Sequence, residues 1–234
     1  MNTASDSFPN TTLIDTLSLD EKTIHGEASA GVSFRVYDFV KRLTDLVGAT
    51  VILALAWPVM LGVALSVRLT SPGPVIFRQR RPGVGGKLFW CYKFRTMVID
   101  AEDRLNNNSD LRAAFEQNFK LRNDPRLTTI GNFLRETSLD ELPQLFNVLQ
   151  GSMSLIGPRP ILTSQLTSYQ EHGERVFTIK PGLGGYWQVY GRSNTSHDER
   201  IRLDLHYVDN RSIGLDLKLI VLTAWTVIRR NGAY

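Results

Sequence analysis

The longest apolar stretch of the chain runs from Leu46 to Val67 and contains no charged residue. As a straight helix it would reach about 33 Å, against roughly 30 Å of bilayer hydrocarbon, so its length permits a membrane span. Pro58 lies near its middle, where a proline removes a backbone hydrogen bond and bends a helix. Basic residues flank both ends, namely Arg35, Lys41, Arg42, Arg68, Arg78, Arg80 and Arg81.

Positive charge on both sides of this stretch decides between membrane arrangements. Segments rich in Lys and Arg stay on the cytoplasmic side, so both ends are expected there. A helix that enters one leaflet, breaks at Pro58 and returns satisfies this rule, whereas a spanning helix satisfies it at one end only. The pattern favours a membrane-inserted, re-entrant helix over residues 35–70. A spanning helix is the alternative, and a buried core helix is the soluble interpretation.

Shorter apolar patterns predict the elements of residues 71–234. Helical periods outnumber alternating ones, so the predicted fold is an α-rich mixed α/β catalytic domain on the cytoplasmic face. The predicted elements are strands around 75–77 and 87–94 joined by a glycine-rich turn at 82–86, charged helices within 98–119 broken by a loop at 106–110, a short helix ending at Glu136, and an acidic helical stretch over 204–216.

The remaining segments are predicted from their composition. Residues 1–34 are rich in Ser, Thr, Asp and Asn, which predicts a mobile tail without a secretory signal. Residues 181–185 read as a loop because glycine and proline dominate them. Residues 215–228 form an apolar helix that is short for a span, so we expect it to pack or to lie in the membrane interface.

Composition limits the kinds of partner that the protein is expected to bind, and it excludes disulfides and structural zinc. Lys and Arg total 27 against 23 Asp and Glu, which fits an anionic partner or a membrane surface without choosing between them. The single cysteine, Cys91, excludes an internal disulfide framework, and no histidine spacing with it indicates structural zinc. Cations concentrated over 78–95 indicate contact with anionic headgroups or a phosphorylated lipid, with a solvated basic face as the alternative.

Two adjacent carboxylates, Asp140 and Glu141, carry the candidate chemistry. They precede a helical apolar pattern that Gly151 is expected to end. Pro143 favours Asp140 itself as the N-cap, because a proline is tolerated only in the first helical turn. A structural acidic cap and a phosphate-chemistry site both stay open here, since a helix N-terminus keeps a carboxylate ionised and also attracts phosphate.

Ordered motifs follow the proline-containing apolar stretch. They are Lys93-Phe94-Arg95-Thr96-Met97, the stretch from Leu134-Arg135 to Gln144, Gly157-Pro158-Arg159-Pro160, and Lys180-Pro181-Gly182 to Gly191-Arg192. From about Lys41 onward the chain resembles the bacterial sugar transferases, the monotopic polyprenyl-phosphate glycosyl-1-phosphate transferases that begin lipid-linked glycan assembly. It resembles their short form, of the type that initiates exopolysaccharide synthesis.

The resemblance implies a reaction and a set of site residues. A sugar-1-phosphate would pass from a nucleoside diphosphate sugar, expected to be a UDP-sugar, to polyprenyl phosphate, with release of nucleoside monophosphate. Asp140 would attack the sugar-linked phosphate to give a covalent intermediate, with Glu141 as the second catalytic residue and Mg²⁺ held at Asp140. The implied substrate-binding residues are basic, namely Lys93, Arg95, Arg135, Arg159 and Arg192.

The resemblance also implies membrane lipids as partners and the cytoplasmic face of the inner cell membrane as the location. No nucleic-acid partner is expected, and a homo-oligomer stays open. Two rival functions remain: a hydrolase of nucleotide sugars with water as the acceptor, and a basic membrane-anchored adaptor without catalysis. The adaptor accounts for the charge and the anchor, but it gives no reason for the adjacent carboxylates.

Overall fold

The longest element in a computed structural model of the protein is helix α1, Ala28–Thr70. The structure describes residues 28–118, 121, 124–191 and 195–228. The helix begins before residue 35, and the rest of the predicted tail, residues 1–27, lies outside the described residues. Pro58 does not interrupt the helix. By length and composition, Arg35–Thr70 is long and apolar enough to cross a membrane.

The described part of the chain is a helix-rich mixed α/β fold. Its strands are β1 (Ile76–Pro82), β2 (Leu88–Phe94), β3 (Ser154–Ile156) and β4 (Gly182–Gly184). After α1, its helices are α2 (Ala101–Asn106), α3 (Ser109–Asn118), α4 (Thr129–Glu136), α5 (Gln144–Gln150), α6 (Leu166–Val176), α7 (Tyr186–Tyr190), α8 (His197–Asn210) and α9 (Ile213–Ile228).

β1 and β2 form an antiparallel hairpin in which Arg80 lies opposite Trp90. A short 3-10 turn, Val84–Gly86, connects them. Apolar and aromatic side chains favour extended backbone in β2, whereas β1 carries them only at Ile76 and Phe77 and continues through polar and basic residues. Two strands joined by a glycine-rich turn are confirmed, but β1 extends to Pro82 instead of ending near residue 77, and the turn is shorter than predicted. The interruption between the charged helices α2 and α3 is also confirmed.

β3 and β4 pair in parallel, so the loop predicted at 181–185 is wrong. A Cβ at Gly182 would lie 2.1 Å from the backbone nitrogen of Gly157, so the two chain segments approach closely only because this residue is glycine. The same glycines that permit the pairing give the sequence its loop-like composition. β4 is therefore extended because it pairs with β3, which is distant in sequence.

One face of α1 packs against the rest of the domain. Ala49, fully buried, joins a core cluster with Leu145 of α5 and Leu155 of β3. Beyond Pro58, the buried Val63 packs in a second cluster with Phe94 of β2. The opposite face exposes large apolar side chains, namely Val36, Phe39, Leu43, Val47, Val51 and Leu55.

Polar contacts fix the first half of α1. Arg42 donates to the carbonyl oxygens of Val148 and Leu149 at 2.6 and 2.8 Å, capping the C-terminal end of α5. The buried carboxylate of Asp45 accepts from the backbone N–H of Leu155 at 2.9 Å. These contacts attach the apolar helix rigidly to the elements that carry the site.

The predicted helix over 215–228 is confirmed as the main part of α9, while residues 211 and 212 divide the acidic stretch 204–216 into α8 and α9. Near the start of α9, Asp216 is buried and accepts a hydrogen bond of 2.5 Å from the hydroxyl of Tyr207. Leu217, Val221 and Trp225 are exposed. The helix therefore packs with one side and presents an apolar surface with the other.

Candidate active site

Asp140 and Glu141 lie in a 3-10 turn, Leu139–Glu141, between α4 and α5. The residue before the turn, Ser138, has a positive φ of 56°. The expectation that Asp140 caps the helix is wrong, because α5 begins at Gln144 with Pro143 in the N-cap position. At the other end, Gly151 closes α5 in the left-handed conformation, as predicted.

Two cations hold the carboxylate of Glu141. Lys93 Nζ of β2 lies 2.6 Å from Oε1, and Arg159 Nη2, from the segment after β3, lies 2.9 Å from the same oxygen. Burial alone would raise the pKa of Glu141, but Arg159 and Lys93 together hold it well below its ordinary value. Glu141 is therefore an ionised anchor that joins three separate chain segments.

Asp140 is in a different environment. It is only 6% exposed, and Lys93 Nζ lies 3.6 Å from its Oδ2. Burial raises the pKa of Asp140, and the charge of Glu141 adds to the rise, while Lys93, Arg135 and Arg159 oppose it. Nearby cations favour the ionised form of Asp140. The sequence had led us to expect that a helix N-terminus would do so.

The structure brings Lys93, Arg135 and Arg159 together around the acidic pair. Arg135, in the last turn of α4, donates from Nε to the hydroxyl of Thr96 at 3.1 Å, and this contact fixes its guanidinium near Asp140. These three cations and two carboxylates leave a net positive site, which suits a diphosphate.

Two other predicted binding residues are not part of this cluster. Arg95 is buried, and its guanidinium donates to the carbonyl oxygens of Pro72 and, at 2.8 Å, Ser71. These backbone contacts place Arg95 beside the residues that follow α1 and not at the carboxylates. Arg95 therefore stabilises the fold instead of forming part of the acidic cluster. Arg192 lies outside the described residues.

Sequence reasoning missed Asn147 of α5, which is 1% exposed. Its side-chain oxygen accepts from the backbone N–H of Tyr92 at 3.0 Å, and its amide nitrogen donates to the carbonyl of Trp90 at 2.6 Å. Asn147 thereby pairs with β2 as a neighbouring strand would, and it holds Lys93 in register with the acidic pair. The sequence signal that could have identified Asn147 is its polar side chain within the apolar pattern of α5.

The donor set for a metal ion is small. Among the described residues, no group of three or more His, Cys, Asp or Glu side chains could hold a metal. Lys93 and Arg159 occupy Glu141, which leaves Asp140 as the carboxylate that fits. Mg²⁺ is commonly bound through one or two carboxylates together with phosphate groups, so Asp140 fits as one ligand of a magnesium site whose other ligands come from outside the described residues.

An apolar groove of about 640 Å³ lies between α1, the hairpin and α5. Three of its lining residues are close in sequence to the site, because Tyr92 and Phe94 flank Lys93 and Pro143 follows the acidic turn. Its lining residues are Trp57, Met60, Leu61, Ala64, Val75, Ile76, Tyr92, Phe94, Pro143, Phe146 and Gln150.

Comparison with known proteins decides the family. The profile of the bacterial sugar transferases matches residues 36–230. The chain belongs to the bacterial sugar transferase family. The resemblance in the sequence motifs is thereby confirmed, and the carboxylates, the cations and the groove described above all lie within the matched residues of this sugar transferase.

Curated relatives share this region. The undecaprenyl-phosphate galactose phosphotransferase of Salmonella typhimurium is 46% identical over 200 residues, which are 84% of this chain and 42% of that protein. The UDP-glucose:undecaprenyl-phosphate glucose-1-phosphate transferase of Xanthomonas campestris is 43% identical and covers 83% of this chain and 40% of its own length. The exopolysaccharide production protein ExoY of Rhizobium meliloti is 38% identical, with 83% and 88% covered. The chain thus spans less than half the length of the first two.

Proposed function

We propose that this sugar transferase moves a sugar-1-phosphate from a UDP-sugar to polyprenyl phosphate and releases UMP, as an initiating step of exopolysaccharide or related glycan synthesis. The observation that carries the proposal is the buried Asp140 beside Lys93, next to a glutamate that two cations keep ionised. The names of the Salmonella and Xanthomonas relatives support undecaprenyl phosphate as the acceptor.

Asp140 acts as the nucleophile in the proposed reaction. Its carboxylate oxygen attacks the phosphorus that bears the sugar, the bond from that phosphorus to the UMP oxygen breaks, and UMP leaves with the electron pair. An acyl phosphate joins Asp140 to the sugar phosphate. An oxygen of polyprenyl phosphate then attacks the same phosphorus, and the Asp140 carboxylate departs unchanged. The product is a polyprenyl diphosphate sugar.

The basic residues allow two anions to meet. Lys93, Arg135 and Arg159 offset the charge of the diphosphate as it approaches the Asp140 carboxylate. Glu141 keeps Lys93 and Arg159 in place through its two ion pairs. Mg²⁺, held by Asp140 and the substrate phosphates, would supply further neutralisation of the diphosphate when bound.

The apolar groove supports a lipid acceptor. It is lined mainly by apolar side chains, and it runs from Pro143, just beyond the acidic turn, to Trp57 and Leu61 on α1. An isoprenoid chain placed there would bury apolar surface while its phosphate stays near the cations. A water-soluble acceptor would give no reason for this lining.

The packing of α1 supports insertion into a single leaflet from the cytoplasmic face, although the helix continues through Pro58 and does not break there as expected from the sequence. Ala49 and Val63 are both buried against the domain, on either side of Pro58. Only about 21 Å of straight helix separates them, which is less than the roughly 30 Å of bilayer hydrocarbon. A helix held to the same domain at both points has both ends on one side of the membrane, so we propose that it enters a single leaflet.

Cysteine labelling tests this arrangement. Arg35→Cys and Thr70→Cys are both expected to react with a membrane-impermeant maleimide in inverted vesicles, and neither in intact cells. Cys91 is 1% exposed and contributes little background. Trp57→Cys, at the predicted depth of the leaflet, serves as the control that stays unlabelled in both preparations. Labelling of the two end positions from opposite sides would establish a spanning helix.

A donor panel tests the reaction. Purified protein in nanodiscs is given UDP-glucose, UDP-galactose and related UDP-sugars with Mg²⁺, with and without undecaprenyl phosphate, and UMP release is measured. We expect release that depends on the lipid phosphate and yields a lipid-linked sugar. Equal release without lipid, together with free sugar phosphate, would identify a hydrolase. Absence of release from every donor would favour the adaptor.

The pH dependence of transfer tests the two carboxylates. Activity requires ionised Asp140, so it rises as the pH rises through the pKa of that group. The charge of Glu141 raises the pKa of Asp140; removing it in Glu141→Gln is therefore expected to move the acidic limb of the kcat/KM profile to lower pH. Glu136→Gln, exposed on α4, is the matched control. An unchanged limb, or one moved to higher pH, would contradict the assignment.

A further inference from the structure

Two guanidinium groups lie against the ring of Trp187, on α7. The Cζ atom of Arg159 is 5.8 Å from the ring centroid, and that of Arg200, on α8, is 4.7 Å away. Arg159 also binds Glu141. A continuous series of contacts therefore joins Arg200 to the acidic pair, although the reaction proposed above gives Arg200 no role.

Polar atoms around this stack are buried without hydrogen-bond partners among the residues that the structure describes. A buried donor that lacks a partner is costly, and in native proteins it commonly marks a place that a ligand or water completes. These atoms are Arg81 Nε, Trp187 Nε1, Arg200 Nε and Asp204 Oδ1.

Positive charge exceeds negative charge at this place. Burial lowers the pKa of Arg81, and the nearby charges of Arg159 and Arg200 lower it further, while Glu141 opposes them. The three guanidinium groups repel one another, and Glu141 offsets this repulsion in part. Asp204 lies 4.0 Å from Arg200 Nε. Burial raises the pKa of Asp204 to about 7, against the opposing charge of Arg200, so near neutral pH this acid offsets the cations only in part. An anion would relieve the repulsion.

We infer that Arg200 is a further donor-binding residue, which contacts the phosphate of the UMP that departs when Asp140 attacks. The inference rests on the proposed function. Arg159 stands beside the acidic pair and suits the phosphate that is transferred. Arg200, joined to Arg159 through Trp187, is the next cation along the stack and suits the second phosphate of the same diphosphate. Its planar guanidinium can bind a phosphate through two parallel hydrogen bonds.

Calorimetric measurement of UDP and UMP binding to the 234-residue protein in the presence of Mg²⁺ tests this role. Arg200→Gln is expected to weaken both affinities about 10- to 100-fold and to raise the donor KM correspondingly, while the KM for undecaprenyl phosphate stays unchanged. Arg202→Gln, exposed on the same helix, is expected to match the wild type. Arg200→Lys keeps the charge but loses the planar fork, so an intermediate loss is expected.

Several results would overturn the inference. Unchanged UDP affinity in a folded Arg200→Gln variant is one, and equal weakening of donor and lipid is another. If Arg200→Gln does not fold, as judged by circular dichroism, Arg200→Lys decides, and wild-type UDP affinity in that variant removes the role. Wild-type protein that binds UDP but releases UMP from no donor would instead refute the proposed function.

Discussion

Asp140→Asn is expected to lower the rate of transfer at least about 10⁴-fold, because an amide cannot form the acyl phosphate. The protein should stay folded and membrane-bound. Asparagine has nearly the shape of aspartate, and burial disfavours the charge that the substitution removes. Lys93 keeps an ion pair with Glu141 at 2.6 Å, so the substitution does not leave this cation without a partner.

The measurement combines turnover with trapping. Protein incubated with a sugar-labelled UDP-sugar and no acceptor should retain label in the wild type, and hydroxylamine should release it, as expected for an acyl phosphate. Asp198→Asn, exposed at the start of α8, is the control that should keep full activity and label. Label on the Asp140→Asn protein, or lipid-dependent turnover by it, would assign the nucleophile elsewhere.

Local sequence signals predicted the elements whose cause is local. The hairpin was predicted from two short apolar runs with a glycine-rich turn between them, and α5 was predicted from its helical apolar pattern. β4 could not be predicted this way, since Gly182–Gly184 have no strand preference and become extended only by pairing with β3. The apolar composition of α1 predicted a helix, but its attachment to the domain on both sides of Pro58 depends on residues distant in sequence.

The sequence likewise identified some of the residues that the structure brings together, and it could not separate others. The motifs named Asp140, Glu141, Lys93, Arg135 and Arg159, and the structure brings all five together. The motif that supplied Lys93 also supplied Arg95. These two residues lie two positions apart in the chain, yet Lys93 reaches the carboxylates while Arg95 binds the backbone at the end of α1. Sequence spacing could not separate them, because the end of β2 and the course of the following chain determine where each side chain lies.

The expected capping role of Asp140 failed for a related reason. Pro143 is compatible with a helix that begins at Asp140, where the proline falls in the first turn, and equally with a helix that begins just after the proline. The structure has a 3-10 turn first and the helix second. Asp140 therefore does not lie at the N-terminus of α5. The groups that favour its ionised form are the cations Lys93, Arg135 and Arg159.

Arg159→Gln is expected to lower kcat/KM about 10²- to 10³-fold, because it removes a cation from the phosphate on which charge develops during transfer. Steady-state kinetics with donor and acceptor varied separately measure the loss. Arg175→Gln provides the control, since Arg175 forms an exposed ion pair with Asp209 and such pairs contribute little. A loss below about fivefold would show that Arg159 does not stabilise the transfer.

The pH profile of the same variant separates this electrostatic role from simple damage to the site. The charge of Arg159 lowers the pKa of Asp140, so its removal is expected to raise that pKa and to move the acidic limb of kcat/KM to higher pH. Glu141→Gln should move the limb in the opposite direction. Loss of packing alone gives no reason for opposite shifts from two residues that form one ion pair, whereas control of the ionisation of Asp140 by its neighbours requires them.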